Sequence, residues 1–268
     1  MSDYYNICIF GEEGFKNMTR LKIITSKYID AYRKSQMIEL GKDLKKLTER
    51  PFKFAYASVN SSMIEGNNIN FDTYLKFVSS GMNTNSKSMR EIESLKKAYE
   101  FASVHSLNKA NILAAHKILS KDIVEEEYQG VIRVKDVYVF GKGELVYTGA
   151  KADIVYAEMD KLSDDIKTLK TREMSLSEVF YYASMIHLVV VKIHPFADGN
   201  GRIARLVEKW FLAQKLGKSV WDIASEELYR TRIKSYYKNV DIGKDYEKND
   251  FDLCIPFLKM LPKSLEVR

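Results

Sequence analysis

The chemistry-bearing residues of this chain crowd into one segment, His194-Pro195-Phe196-Ala197-Asp198-Gly199-Asn200-Gly201-Arg202-Ile203-Ala204-Arg205. Its loop ends in Gly-Asn-Gly and opens a helix. With no side chains on Gly199 and Gly201, the exposed N–H groups of that helix start form a ready anion site. Arg202 and Arg205 are three residues apart and project from one side of the first turn, toward the same anion. Asp198 offers a hard oxygen ligand beside it, which suits Mg²⁺ held jointly with phosphates. His194 is a titratable base at the loop entrance. These are the parts needed to transfer a phosphorus-containing group in line.

Two helices must hold this segment. Upstream, the run from Ser175 places Leu176, Val179, Phe180, Ala183, Ile186, Val190 and Ile193 at spacings of three and four. Ser175 and Glu178 form a capping box at its start, and Pro195 stops it just after His194. Downstream, a helix runs from about Gly201 to Leu216, with Ile203, Val207, Trp210 and Phe211 on its apolar side and Gly217 as its C′ residue. Further helices are expected over 52–65 (closed by Gly66), over 87–105, and from an Asn108 cap with Ile112, Ala115, His116 and Leu119 inward. Two more are expected over 225–239 and 250–261. The exception is 130–147, where Val131, Arg133, Lys135, Val137 and Val139 are β-prone and Gly-Lys-Gly marks a turn. A lone hairpin makes no sheet of its own, so this one is expected to lie over something as a flap.

Composition sets the background. The chain has 268 residues, with 42 Lys plus Arg against 36 Asp plus Glu, so its formal charge is +6. Hydrophobic residues make up 46% and charged residues 29%, which excludes a collagen, a disordered polyelectrolyte and a disulfide mini-scaffold. Four prolines and 13 glycines favour long helices over many turns. Cys8 and Cys254 lie almost a chain apart with no CxxC spacing, which points to a reducing compartment. The N-terminal residues carry no basic region and no long apolar stretch, so no signal peptide is expected. The apolar run Leu188 to Val191, broken by Lys192, is far short of a membrane span. The expectation is a soluble, cytoplasmic protein with no membrane partner.

The segment from His194 to Arg205 resembles the Fic-family motif, H-x-F-x-[D/E]-G-N-G-R-x-x-R, at every fixed position. The resemblance covers roughly residues 50–240. It implies an all-α fold, a Fic-type helical bundle with a small β-hairpin flap that aligns a target segment beside the catalytic histidine. It implies His194 as the base that deprotonates a target hydroxyl, and Phe196 as a buried anchor for the loop. Asp198 would bind Mg²⁺ between the α- and β-phosphates of ATP. Gly199, Asn200 and Gly201 would form the anion hole, and Arg202 and Arg205 would hold the outer phosphates. The implied reaction is AMPylation, in which AMP passes from ATP to a Ser, Thr or Tyr hydroxyl of a target protein and pyrophosphate leaves. Phosphate-transferring relatives carry Lys at the place of Gly201; glycine leaves that region open for a triphosphate.

A second stretch, Ser61-Ser62-Met63-Ile64-Glu65-Gly66-Asn67, resembles the family's inhibitory [S/T]-x-x-x-E-[G/N] motif. Ser61 and Glu65 are four apart, hence on one helix face. Glu65 at a helix end is within reach of Arg205, where its carboxylate would compete with the γ-phosphate. Because this motif precedes the catalytic one, the inhibition would come from the chain's own N-terminal part.

The expected organisation is an N-terminal extension (1–49), a Fic domain (50–240) with its inhibitory helix at about 52–65 and flap at about 130–147, and a C-terminal helical extension (241–268). Expected partners are a target protein at the flap, the chain itself as acceptor, and a second copy as a homodimer. Competing readings keep the site but change the cargo to UMP or phosphocholine, or make the enzyme remove AMP. A non-catalytic nucleotide or nucleic-acid binder ranks last. The basic, aromatic stretch 230–248, with Tyr236 and Tyr237, reads as a solvated helix face with packing aromatics. His116 and His187 read as hydrogen-bonded core histidines, and His105 as a surface residue.

Overall fold

The computed structural model describes residues 44, 47, 49–81, 86–141 and 143–266. The N-terminal extension expected over 1–49, with Cys8, therefore lies almost wholly outside the described residues, as does Lys142 of the flap turn. The fold is helical with one small antiparallel sheet, as expected.

Two helices form its centre. Helix α6 (Leu176–Ile193) and helix α7 (Asn200–Leu216) pack against each other on either side of the loop 194–199. The capping box at Ser175 is present, with its hydroxyl accepting from the Glu178 N–H and the Glu178 carboxylate accepting from the Ser175 N–H. By length and apolar character α6 passes for a membrane span, but 89% of it is buried within the fold. Its all-round apolarity is that of a central core helix.

Around this pair lie α1 (Lys53–Ile64), α2 (Phe71–Ser79), α3 (Lys87–Val104), α4 (Lys109–Leu119) and α5 (Ala152–Thr171). The Asn108 cap on α4 is confirmed, its side chain accepting from the Asn111 N–H at 2.9 Å. Helix α5 was not foreseen, although its buried Val155, Met159, Leu162, Ile166 and Leu169 repeat at helical spacing. Helix α2 was also missed; Asn70 caps it.

The helix expected over 225–239 is two, α8 (Ser225–Thr231) and α9 (Ile233–Val240), broken at Arg232. The break leaves Tyr229 and Tyr236 both buried against His187, with ring centroids 5.6 and 5.8 Å away. The stretch 250–261 breaks into 3₁₀ turns and the short helices α10 (Ile255–Leu258) and α11 (Met260–Lys263). One continuous apolar core runs from Ala57 through α6 and α7 to Leu261, so these last elements share it. Cys254 is buried there.

The hairpin is shorter than expected. Strands β1 (Tyr138–Gly141) and β2 (Glu144–Thr148) pair antiparallel, Tyr138 opposite Thr148 and Gly141 opposite Glu144, with a bulge between Val139 and Phe140. Residues 131–137 are not a strand. Arg133 lies there, 7% exposed, and its bonds go to the chain around His194 instead of to a neighbouring strand. Its N–H donates to the Pro195 carbonyl at 3.0 Å. Its guanidinium donates to the carbonyls of His194 (2.7 Å), Lys135 (2.6 Å), Ile193 (3.3 Å) and Ala150. The far end of the flap is tied down as well. Tyr147 donates to the Lys192 carbonyl at 2.8 Å, and the Thr148 N–H donates to the Lys244 carbonyl at 2.9 Å.

Arg133 thus supplies a fork of donors that no other side chain reproduces. Arg133→Met keeps an apolar stem but strands those carbonyls. The expected loss is about 2–4 kcal/mol, or a melting temperature lower by roughly 5–12 °C. A thermal unfolding curve unchanged within about 2 °C would show that the clamp carries no stability.

Candidate active site

Helix α6 ends on His194, whose backbone is left-handed at φ 54° and ψ 60°. Among the described residues, only Phe52 and His194 are non-glycine residues with positive φ. Such a conformation costs about 1–3 kcal/mol and persists only where the surroundings impose it. Pro195 forbids another helical turn, and Arg133 holds the His194 carbonyl. His194 Nδ1 lies 3.2 Å from the Val191 carbonyl oxygen. A carbonyl only accepts, so Nδ1 carries the proton in that bond and Nε2 is left as the free acceptor. Burial lowers the His194 pKa below its ordinary 6.5. The ring is therefore neutral at pH 7 and able to take a proton.

The loop after it is braced from within and from below. Asn200, buried, donates to the Phe196 carbonyl at 2.8 Å and accepts the Phe196 N–H at 2.9 Å. Phe196 is fully buried and stacks flat on His116 of α4, with ring centroids 3.6 Å apart. The Gly130 N–H donates to His116 Nδ1, so Nε2 carries the proton and donates to the Asp198 carbonyl at 2.9 Å. Burial lowers the His116 pKa to about 4, so it serves as a neutral strut, as expected of a core histidine. Gly199 turns the chain at φ 79°, tight against His116 and Leu119.

Helix α7 then begins with no side-chain cap. Its first intrahelical bond runs from the Ile203 N–H to the Gly199 carbonyl at 3.0 Å, so the N–H groups of Asn200, Gly201 and Arg202 precede it. Arg202 is 7% exposed; its Nη2 lies 3.8 Å from Glu91 of α3, and its Nε is buried with no partner among the described residues. An orphaned guanidinium N–H beside free helix-start amides is what an anion site requires. Asp198 is exposed, and its Oδ1 accepts the Gly199 N–H at 2.5 Å. Among the described residues no cluster of three or more His, Cys, Asp or Glu could hold a metal alone. A single carboxylate next to a phosphate site fits a cation that takes its other ligands from phosphate and water.

The stretch from Ser61 to Gly66 reaches this site. Helix α1 ends at Ile64 and reverses at Gly66, φ 92°. From α1, Ser61 Oγ accepts from Arg205 Nε at 2.8 Å and the Ser61 carbonyl accepts from Nη2 at 3.1 Å. Glu65 Oε1 accepts from the same Nη2 at 2.6 Å. Burial alone would raise the Glu65 pKa, but Arg205 and Arg202 outweigh it and the carboxyl stays below its ordinary value. Arg205 is 1% exposed, while the Glu65 side chain is 29% exposed, so the carboxylate is the partner that solvent can reach. A Cβ on Gly201 would stand 2.3 Å from Glu65 Oε1. Glycine there is what lets the carboxylate lie across the start of α7.

The structure thus gathers His194, Phe196, Asp198, Gly199, Asn200, Gly201, Arg202, Arg205, Ser61 and Glu65 about one helix start, with Gly66 as the turn behind. Four neighbours were not foreseen as part of it: Arg133, His116 as a loop strut, Glu91, and Tyr236. Tyr236 is one of the packing aromatics expected of 230–248. It is buried, and its hydroxyl accepts from Arg205 Nη1 at 3.2 Å. The pattern of 130–147 marked Arg133 only as an alternating position, and Glu91 and Tyr236 meet their partners through the fold, with no local signal.

Residues 106–212 match the family model of the Fic/DOC family. The chain is 29% identical over 174 residues to the protein adenylyltransferase fic-1 of Caenorhabditis briggsae, and 30% identical over 173 residues to that of Caenorhabditis elegans. Each match takes in 60% of this chain but only 31% of the relative's length. In fold, the chain is similar to a Fic family protein from Desulfovibrio desulfuricans G20, with a TM-score of 0.70 and 24% identity over 92% of this chain and 74% of that one. Motif, family match and fold agree, and the chain carries a Fic/DOC family domain.

Proposed function

We propose that this chain is a self-inhibited protein adenylyltransferase. A target protein's Ser, Thr or Tyr hydroxyl attacks the α-phosphorus of ATP. The new bond joins the hydroxyl oxygen to that phosphorus, the bond to the bridging oxygen breaks, and pyrophosphate leaves with the electron pair. The hydroxyl proton passes to His194 Nε2, which the Val191 hydrogen bond and the lowered pKa keep available. The first amides of α7, with Gly199, Asn200 and Gly201, and the guanidiniums of Arg202 and Arg205 orient the phosphates. Asp198 would hold Mg²⁺, whose charge offsets that of the departing pyrophosphate. The exposed rings of Tyr138 and Phe140 on the flap offer the surface on which a target segment would lie.

The observation that carries this reading is the 2.6 Å ion pair between Glu65 and Arg205, laid across the same helix start that a triphosphate needs. With Glu65 in place the γ-phosphate loses its guanidinium. A nucleotide that binds without it holds its α-phosphate out of line, and a displacement of about 1 Å is worth roughly 10²-fold in rate. The ~30% identity to named adenylyltransferases supports AMP as the cargo.

Glu65→Gly is expected to raise ATP- and Mg²⁺-dependent labelling by roughly 10- to 100-fold, and His194→Ala in that background to abolish it. Intact-mass spectrometry reads both. Unchanged labelling at saturating ATP would sink the inhibitory half, and a mass shift other than AMP would sink the cargo. The pH profile is a separate check. The base must be neutral, so kcat/KM of Glu65→Gly falls as pH drops through the His194 pKa, and burial places that fall below pH 6.5. An acid limb centred above 6.5 would assign the base elsewhere.

A further inference from the structure

Resting on that reading, the geometry points to a residue outside both motifs: we propose that Tyr236 is the positioning residue that holds Arg205 at the phosphate site independently of the inhibitory helix. Three hydrogen bonds to the Arg205 guanidinium come from α1 and its C-cap, through Ser61 Oγ, the Ser61 carbonyl and Glu65. They occupy its Nε and Nη2, the edge that takes two phosphate oxygens side by side. Among the described residues, the one hydrogen bond from outside α1 and its C-cap is to the Tyr236 hydroxyl, through Nη1. A contact on Nη1 leaves that bidentate edge free. Any nucleotide that takes Nε and Nη2 must displace partners on α1, but it leaves Tyr236 in place.

What fixes Tyr236 belongs to the catalytic helices. Its hydroxyl lies 3.0 Å from His187 Nε2, and His187 Nδ1 lies 2.8 Å from Glu208 Oε2. The Tyr229 hydroxyl donates to the same carboxylate at 3.0 Å. One proton arrangement satisfies every member. Arg205 donates to the tyrosine oxygen, the tyrosine O–H donates to His187 Nε2, and the His187 Nδ1–H donates to Glu208. The chain runs from a guanidinium to a carboxylate with each donor used once, which strengthens every link. His187 is on α6, the helix that ends at His194. Glu208 is on α7, three residues after Arg205. Tyr236 therefore ties the γ-phosphate arginine to the same two helices that carry the base and the anion hole. Tyr237, its neighbour, with its ring centroid 5.4 Å from that of Tyr236, donates to the Ile64 carbonyl at the end of α1.

Removing the hydroxyl alone, by Tyr236→Phe, keeps the ring packing. In the Glu65→Gly background we expect ATP affinity, measured by calorimetry, to fall about five- to tenfold. AMP has no outer phosphates for Arg205 to hold, so its affinity should stay within about twofold. The KM for ATP should rise with the affinity loss while kcat changes less. General loosening of the site would weaken both nucleotides equally and would overturn the proposal. So would a full loss of ATP affinity persisting when Arg205 is already Ala, because a residue acting through Arg205 has nothing left to lose there. His187→Gln, which cuts the link to Glu208, gives a second variant should Tyr236→Phe fold poorly. It should show the same ATP-selective loss at about two- to threefold, and an unchanged ATP/AMP ratio would count against the chain. If Glu65→Gly itself neither binds ATP nor transfers AMP, it is the adenylyltransferase reading that fails, before Tyr236 is tested.

Discussion

A guanidinium that is 1% exposed must find acceptors for its N–H groups inside the protein, and the helices around Arg205 are arranged to supply them. Helix α1 brings Ser61 and Glu65, and α9 brings Tyr236. Behind Tyr236 stand His187 and Glu208, so the demand of one buried charge reaches into both central helices. The charge cannot be shed, since the Glu65 carboxylate outweighs the effect of burial and holds the guanidinium protonated. Any movement of α1 must therefore be matched by another acceptor for Arg205. A phosphate fits that need, and on the proposed function this is where inhibition and nucleotide binding would meet on one side chain.

The second constraint is the sharp stop at His194. A left-handed histidine at the end of a fully packed helix is unfavourable on its own. It is held by interactions from three directions: the Val191 carbonyl on the ring, Arg133 on the carbonyl, and Pro195 on the chain that follows. Below, His116 supports the loop through Phe196 and Asp198. The result is a neutral imidazole at the mouth of an anion site, on a backbone that cannot relax into another helical turn. The flap root is tied to the same point, since Arg133 begins the segment that leads into β1.

The two central helices, their caps and the loop between them were legible in the sequence because they are local. Ser175 with Glu178, the apolar spacing of 176–193, and Gly217 at the end of α7 are each set by residues within a few positions. The pairing of Glu65 with Arg205 was also foreseen, although it spans 140 residues, because two motifs named its ends. Helix α5 carried the right periodicity and was overlooked. The strand expected from Val131 failed for a physical reason: alternation describes a pleated edge, and here the alternating arginine turned inward to clamp a loop.

By itself, then, the sequence determined the helical class, the loop between the two central helices and the chemical types gathered there, because composition, periodicity and short motifs act over neighbouring residues. Only the tertiary structure decided how those groups are held. Arg133 reaches His194 across 61 positions, His116 reaches Asp198 across 82, and Tyr236 reaches Arg205 across 31. Nothing in the local sequence marks such residues, for a buried hydrogen bond depends on which helices pack together and on which polar groups that packing cuts off from water.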